Sequence, residues 1–298
     1  TKMEQSENKI HIRAFYRFVE LPNFERLKKP FDQFCKANQM KGTILLAHEG
    51  INSTISAPKE IMEKFWKFLD QDPRFATMPY KESYADFSPF ERMRVRLKKE
   101  IVRMGVEDLN LDKRGEYLKA EEWDKAISDP ETIVIDTRND YEYAYGTFEN
   151  AINPKTSDFR EFPEWVEKNL DPQKHKKIAM FCTGGIRCEK STALLKNKGF
   201  DKVYHLDGGI LQYFEDKQNK KHKWKGSCFV FDDRIAVTPD LKPVEGIINC
   251  KKCSKPLNVD KDTVRVNNKG VSCAELGKQC AEYEKYTVKS GALSEELH

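Results

Sequence analysis

Apolar and polar positions alternate along His11-Ile12-Arg13-Ala14-Phe15-Tyr16-Arg17-Phe18-Val19, which predicts a strand. From Phe24 to Asn38 the spacing becomes helical, with Leu27, Phe31 and Phe34 on one stripe. Lys41 to Ala47 and Ile51 to Ala57 read as strands, with His48-Glu49-Gly50 as the turn between them. Pro58 opens a helix through Leu69 that places Ile61, Phe65 and Phe68 on one face. A last strand runs from near Met93 to Val102. The order β-α-β-β-α-β predicts a ferredoxin-like (acylphosphatase-like) α+β domain over residues 1–104.

Residues 105–115 are polar and read as a linker, after which the pattern changes. Thr132-Ile133-Val134-Ile135 is a continuous β-branched run ending in Asp136, and Lys177 to Phe181 is a second apolar run ending in Cys182. Such runs predict parallel strands covered on both faces. Ligands of open α/β sheets bind beyond the carboxyl ends of strands, where Asp136 and Cys182 both fall. This α/β pattern, with its parallel sheet, spans residues 117–216. From Lys217 onward the chain is rich in lysine and cysteine, predicting a small Cys-containing C-terminal module over 217–298.

Composition changes this picture in two ways. Hydrophobic residues at 39% and charged residues at 34% describe a soluble globular chain, and no run of ~18 apolar residues is present to span a membrane. The stretch Thr1 to Lys9 has no apolar h-region, so a reducing, cytoplasmic setting is expected. The eight cysteines are then catalytic, metal-binding or buried rather than a disulfide framework. A net charge of +4 is too mild to diagnose nucleic-acid binding, so clustering decides. Arg92, Arg94, Arg96 and Lys98 alternate along one strand and share a face, opposite Met93, Val95 and Leu97. That stripe either tracks a phosphate backbone or is an ordinary solvated sheet face. Lys217, Lys220, Lys221, Lys223 and Lys225, beside His222 and Trp224, form a second run. It reads as a lysine-rich linker, or as a contact in which Trp224 stacks on an unpaired base.

The candidate chemistry lies in Cys182-Thr183-Gly184-Gly185-Ile186-Arg187-Cys188. The cysteine follows a strand and precedes a segment of helical character. Glycines let the backbone turn its amides inward, the helix N-terminus adds a positive partial charge, and Arg187 adds a full one. A cysteine in that setting has a depressed pKa and exists partly as thiolate. Cys188 reads either as a resolving thiol for an oxidised Cys182 or as a small side chain in the first helical turn.

These residues resemble the rhodanese domain. Asp136-Thr137-Arg138, Glu142, Gly146 and Ala151-Ile152-Asn153-Pro154 resemble its N-terminal signature, and Leu206-Asp207-Gly208-Gly209 with Tyr213 its C-terminal end. The resemblance implies Cys182 as the reactive residue and Asp136 and Arg138 as its support. One departure is Gly146-Thr147-Phe148, where the family has Gly-His-Ile; it is expected to alter packing rather than chemistry. Four residues separate Cys182 from Arg187, where phosphatases of this fold have five, so a single sulfur or a small oxygen species fits better than phosphate.

The motif order of the whole chain resembles the bacterial tRNA uridine hydroxylase family. It is carried by Gly42 to Asn52, Lys81-Glu82-Ser83, Lys99-Glu100-Ile101-Val102, the Cys182 loop, and Gly226-Ser227-Cys228-Phe229-Val230-Phe231-Asp232. This resemblance implies oxygen-dependent formation of 5-hydroxyuridine at the tRNA wobble position, with tRNA as partner and molecular oxygen as co-substrate. No flavin fingerprint, haem motif or His-His-carboxylate iron triad is evident. The alternatives are a persulfide sulfurtransferase and a tRNA-binding adaptor that uses the rhodanese domain as a scaffold. In the C-terminal module, Cys250-Lys251-Lys252-Cys253 has zinc-knuckle spacing, and Cys273 and Cys280 would complete four thiolates of a structural zinc site, with Cys228 as a substitute ligand. The other reading is reduced cysteines without metal.

Overall fold

A computed structural model describes residues 9–232, 234–249 and 256–258. It divides into two compact units, one ending at Gly105 and one beginning at Val106. The proposed zinc ligands Cys250, Cys253, Cys273 and Cys280 lie outside the described residues.

The first unit contains β1 (Ile10–Phe18), a 3-10 turn (Phe24–Leu27), α1 (Lys28–Ala37), β2 (Lys41–Ala47), β3 (Gly50–Pro58), α2 (Lys59–Asp70), β4 (Lys81–Ala85) and β5 (Met93–Leu97). The sheet order is β4-β1-β3-β2-β5. Neighbours pair antiparallel except β2 with β5, which run parallel. The β-α-β-β-α-β unit is therefore closed by β4, a strand the apolar pattern does not announce. The strand expected from Met93 to Val102 is an addition on the opposite edge and stops at Leu97. Lys81-Glu82-Ser83-Tyr84-Ala85 lacks alternation because β4 is an edge strand with no fully buried residue. The helix expected from Phe24 begins instead at Lys28, which places Pro30 in the first turn, where its missing N–H costs nothing.

Both helices cover one face of this sheet. Phe31 and Cys35 of α1 and Met62, Phe65, Trp66 and Leu69 of α2 pack on Phe15, Ile44, Leu46, Ile51, Ile55 and Val95. Each fully buried side chain of this size contributes roughly 1.5–3 kcal/mol. Among the described residues, no helix covers the opposite face.

The second unit contains β6 (Glu116–Leu118), α3 (Ala120–Ser128), β7 (Thr132–Asp136), α4 (Asp140–Tyr143), β8 (Gly146–Phe148), α5 (Phe162–Asn169), β9 (Lys177–Phe181), α6 (Ile186–Asn197), β10 (Lys202–Leu206) and α7 (Gly209–Asp216). The sheet is β6-β10-β9-β7, parallel throughout. It is followed by short strands: β11 (Trp224–Gly226), β12 (Cys228–Phe229), β13 (Ala236–Val237), β14 (Ile247–Asn249) and β15 (Pro256–Asn258).

The compositional break at Lys217 is not a structural one. β11 pairs antiparallel with β8, and Trp224, Cys228, Val230 and Val237 enter the same core as Trp123, Phe148, Phe181 and Tyr213. Two lysines of the run are likewise tied down. Lys217 is buried against Glu121 and Asp124 at 2.8 and 2.7 Å, and Lys225 pairs with Glu149 at 3.1 Å. Trp224 packs edge-on against Phe148, Phe181 and Phe214, so it is no platform for a base. Cys228 is a core residue. Among the described residues, no helix is long and apolar enough to cross a membrane, and no cluster of three or more His, Cys, Asp or Glu is arranged to hold a metal ion.

Candidate active site

β9 is an interior strand, and the chain leaves its end directly into Cys182. Gly185 caps α6 in the left-handed region at φ 96°, a conformation glycine adopts without a Cβ penalty. The turn folds the helix N-terminus back on the sulfur, and the N–H of Gly185 donates to Cys182 Sγ at 3.1 Å. Burial pushes the Cys182 pKa up. The hydrogen bond from the Cys188 thiol, the charge of Arg187 and the N–H groups of Cys188 and Arg187 outweigh it and bring the pKa down to about 6. Cys188 shifts the other way, held protonated by burial and by the adjacent Cys182 sulfur. Thr137 lies 3.6 Å from Cys188 Sγ and donates its hydroxyl to the Phe181 carbonyl at 2.9 Å. The expected inward amides and low-pKa thiol are thus present in the loop.

Two buried arginine–carboxylate pairs frame the loop. Arg187 forms a bidentate pair with Glu142 at 2.7 and 2.8 Å. Burial would push the Glu142 carboxyl up, but the Arg187 charge and hydrogen bonds hold it below its usual value. The guanidinium is therefore committed to Glu142, and it acts on Cys182 through its charge and backbone N–H rather than as a side-chain donor. Glu142 stands outside the residues first read as the site, although it belongs to the signature that marks the domain. Arg138 pairs with Asp136 at 2.9 and 2.6 Å and donates to the Gly146 carbonyl at 2.6 Å. Asp136 and Arg138 thus form a sealed strut at the end of β7.

Thr147 departs from the usual rhodanese pattern in more than packing, since its buried hydroxyl donates to Asp136 at 3.1 Å. Gly146 beside it has no room for a Cβ, which would fall 2.3 Å from the Ser227 carbonyl oxygen. On the far side, the first turn of α7 clamps the loop. Ile210 N–H donates to the Cys182 carbonyl at 3.0 Å and Leu211 N–H to that of Thr183 at 3.2 Å. Gly209, at φ +70°, is pressed so close that a Cβ would lie 2.5 Å from the Thr183 oxygen and 2.6 Å from the Cys182 oxygen. The Asp207-Gly208-Gly209 motif is explained by that approach. At Gly184 a Cβ would meet nothing within 4 Å among the described residues, so the loop is braced at Gly209 and open at Gly184.

Cys228 also reaches this neighbourhood. It is buried near Arg138, and its thiol faces the Phe229 carbonyl at 3.5 Å. Only long-range pairing of β11 and β12 brings it there, so local pattern carried no signal for it. Arg94 and Arg96 on β5, and Arg92 and Lys98 flanking it, by contrast, belong to the first unit and are all exposed.

A four-stranded parallel sheet that delivers a cysteine into a helix-capping amide cradle defines a rhodanese-like domain, and residues 119–216 match the rhodanese-like domain model. Residues 10–101 match the UPF0176 acylphosphatase like domain, so the chain joins that domain to a rhodanese-like one. Among solved structures, a rhodanese-related protein of Thermoplasma volcanium is 26% identical, with a TM-score of 0.29 over 34% of this chain and 92% of its own. A rhodanese-like domain from Anabaena sp. is 18% identical, with a TM-score of 0.31 over 37% of this chain and 78% of its own. A Rhodopseudomonas palustris protein described as a possible tyrosine phosphatase is 19% identical, with a TM-score of 0.30 over 36% of this chain and 84% of its own.

Proposed function

We propose that this protein is a cysteine-dependent enzyme that hydroxylates C5 of the wobble uridine of tRNA, with molecular oxygen as co-substrate. The observation that carries cysteine chemistry is Cys182 Sγ, held by an amide at 3.1 Å with its pKa brought down to about 6. The substrate and reaction are supported by the resemblance in motif order to the bacterial tRNA uridine hydroxylases. A thiolate adding at C6 of a uracil makes C5 electron-rich and open to oxygen transfer, after which loss of the C5 proton expels the thiolate from C6 and restores the double bond. One oxygen atom of O2 goes to C5; the other leaves as water, using two protons and two electrons from an external reductant. Arg187 and the loop amides stabilise the sulfur anion, and the exposed stripe Arg92, Arg94, Arg96 and Lys98 contacts the tRNA.

A second reading, transfer of persulfide sulfur on Cys182, is favoured by the four-residue spacing to Arg187, a cradle sized for one sulfur atom. Nucleoside analysis of tRNA from a deletion strain separates the two. Loss of 5-hydroxyuridine, restored by the wild-type chain and not by Cys182→Ser, is the expected result. Loss of a thiolated base instead identifies the sulfurtransferase, and an unchanged nucleoside profile rejects both.

A further inference from the structure

The pairing of β2 with β5 gives the basic stripe a setting that the strand alone does not reveal. Register places Thr43 beside Arg94 and Leu45 beside Arg96. It continues across the sheet, from Thr43 to Thr54 and Ala14 and from Leu45 to Asn52 and Tyr16. The Arg92 carbonyl accepts from Gly42 N–H at 3.1 Å, which sets the Arg92 side chain next to that of Lys41. All of these side chains lie on the face that the helices leave uncovered. Lys41 therefore joins Arg92, Arg94, Arg96 and Lys98 as a fifth exposed cation on one surface.

The same registers show which charges are missing. On this face β1 presents Ile10, Ile12, Ala14, Tyr16 and Phe18, β2 presents Lys41, Thr43, Leu45 and Ala47, β3 presents Asn52, Thr54 and Ser56, and β4 presents Lys81, Ser83 and Ala85. No strand contributes a carboxylate; Glu82 points to the other side, into Arg13. The connection from β4 to β5 has to cross the face, and Ser88 meets Ser56 at 2.7 Å, so it covers the part around Ser56 and the buried Ile12. Past β5 the chain also returns over the face, where Asn52 donates to the Ile101 carbonyl at 2.9 Å and Glu49 accepts from the Ile101 N–H at 2.6 Å. Among the described residues, what stays open is the edge formed by β2 and β5, with the half-buried hydroxyl residues Thr43 and Thr54 at its floor. Cations two residues apart on a strand repeat every ~6.6–6.8 Å, a spacing of the order of successive phosphates on an extended nucleic-acid strand.

We infer that this uncovered strip of the N-terminal sheet is a docking surface for the phosphodiester backbone of single-stranded RNA, with Lys41, Arg92, Arg94, Arg96 and Lys98 as phosphate partners. The inference rests on the reading that the chain acts on RNA, and it assigns the binding surface to the face as a whole. Cationic contacts of this kind position a strand without reading its sequence.

The test measures binding of the full-length chain to a fluorescent oligouridylate, to duplex RNA of equal length, and to anionic phospholipid vesicles, across a salt series. For wild type, the oligouridylate is expected to bind more tightly than the duplex. Arg94→Ala with Arg96→Ala should weaken oligouridylate binding about tenfold or more. It should also flatten the log–log salt slope by roughly 1.4, since each single-strand contact contributes about 0.7. Lys41→Ala alone should flatten it by about 0.7. The control Lys64→Ala with Lys67→Ala, the same charge loss on α2, should leave binding within about twofold, a margin below 0.5 kcal/mol. Equal losses in control and test variants, a lowered melting temperature with unchanged affinity, or a preference for vesicles or duplex would overturn the assignment. If wild-type chain binds no RNA at all, the tRNA reading itself fails; if it binds but the face variants bind equally well, only the docking surface is wrong.

Discussion

Cys182 and Cys228 are both buried, each near an arginine that is itself paired with a carboxylate, yet their thiols move in opposite directions. Burial drives the Cys228 pKa to about 12; Arg138 and the Thr183 hydroxyl oppose that shift, while Glu142 and Asp136 add to it. Burial acts on Cys182 as well, but its pKa falls to about 6. The difference lies in what is aimed at the sulfur: at Cys182 the Cys188 thiol comes first, followed by the Arg187 charge and the N–H groups of Cys188 and Arg187. Cys182 sits at the open N-terminus of a 12-residue helix, whose first amides have no partner within the helix. Cys228 lies on a short strand whose backbone is engaged with β13. A buried thiol becomes a nucleophile when amide donors outnumber what desolvation removes, and remains inert otherwise.

The largest test of this comparison removes the shared element. Glu142→Ala leaves the Arg187 guanidinium buried and unpaired, which should cost about 3–5 kcal/mol of stability by denaturant titration. In molecules that remain folded, the uncompensated charge should lower the Cys182 pKa below about 6. A mild loss of stability would mean that water or another group satisfies Arg187. Next in size, Gly209→Ala forces a left-handed alanine and drives a Cβ into the Thr183 and Cys182 carbonyls, for a cost of roughly 1–3 kcal/mol. Its thiol should also react more slowly, because the loop must shift away from α7. The smallest effect on stability is expected from Cys188→Ala, which deletes the leading hydrogen-bond donor to Cys182 and leaves the Arg187 charge and the amides. The Cys182 pKa should rise by about one pH unit, equivalent to ~1.4 kcal/mol. A rise that restores an ordinary thiol would assign the activation to Cys188 and not to the helix.

Much of this was legible before any fold was known, and the exceptions have physical reasons. The limits of β2, β7 and β9 follow from apolar runs that are strand-bound and buried. The Cys182 loop is local, since its glycines, cap and helix are consecutive, so its chemistry could be read from spacing. β4 was hidden because a solvated edge strand needs no apolar alternation. Cys228 and Lys41 were hidden because their neighbours come from strands far along the chain, and register is not a local property. Trp224 was misplaced for a related reason. Its lysine neighbours suggested solvent, while pairing with β8 turns the indole inward.

The Cys182 shift also fixes the sign of a pH effect. A thiol that titrates at about 6 when folded and at ~8.5 when unfolded releases its proton on folding between those limits. Its contribution to stability is complete above ~8.5 and is lost as pH falls through about 6. The most direct measurement is the rate of carbamidomethylation of each cysteine against pH in the native chain, resolved by peptide mass. Cys182 is expected to label with a half-maximal rate near pH 6, and Cys228 to stay unlabelled through pH 9. A Cys182 profile rising only near the ordinary ~8.5, or labelling of Cys228 ahead of it, would contradict the claim that the helix-capping cradle makes Cys182 the reactive thiolate.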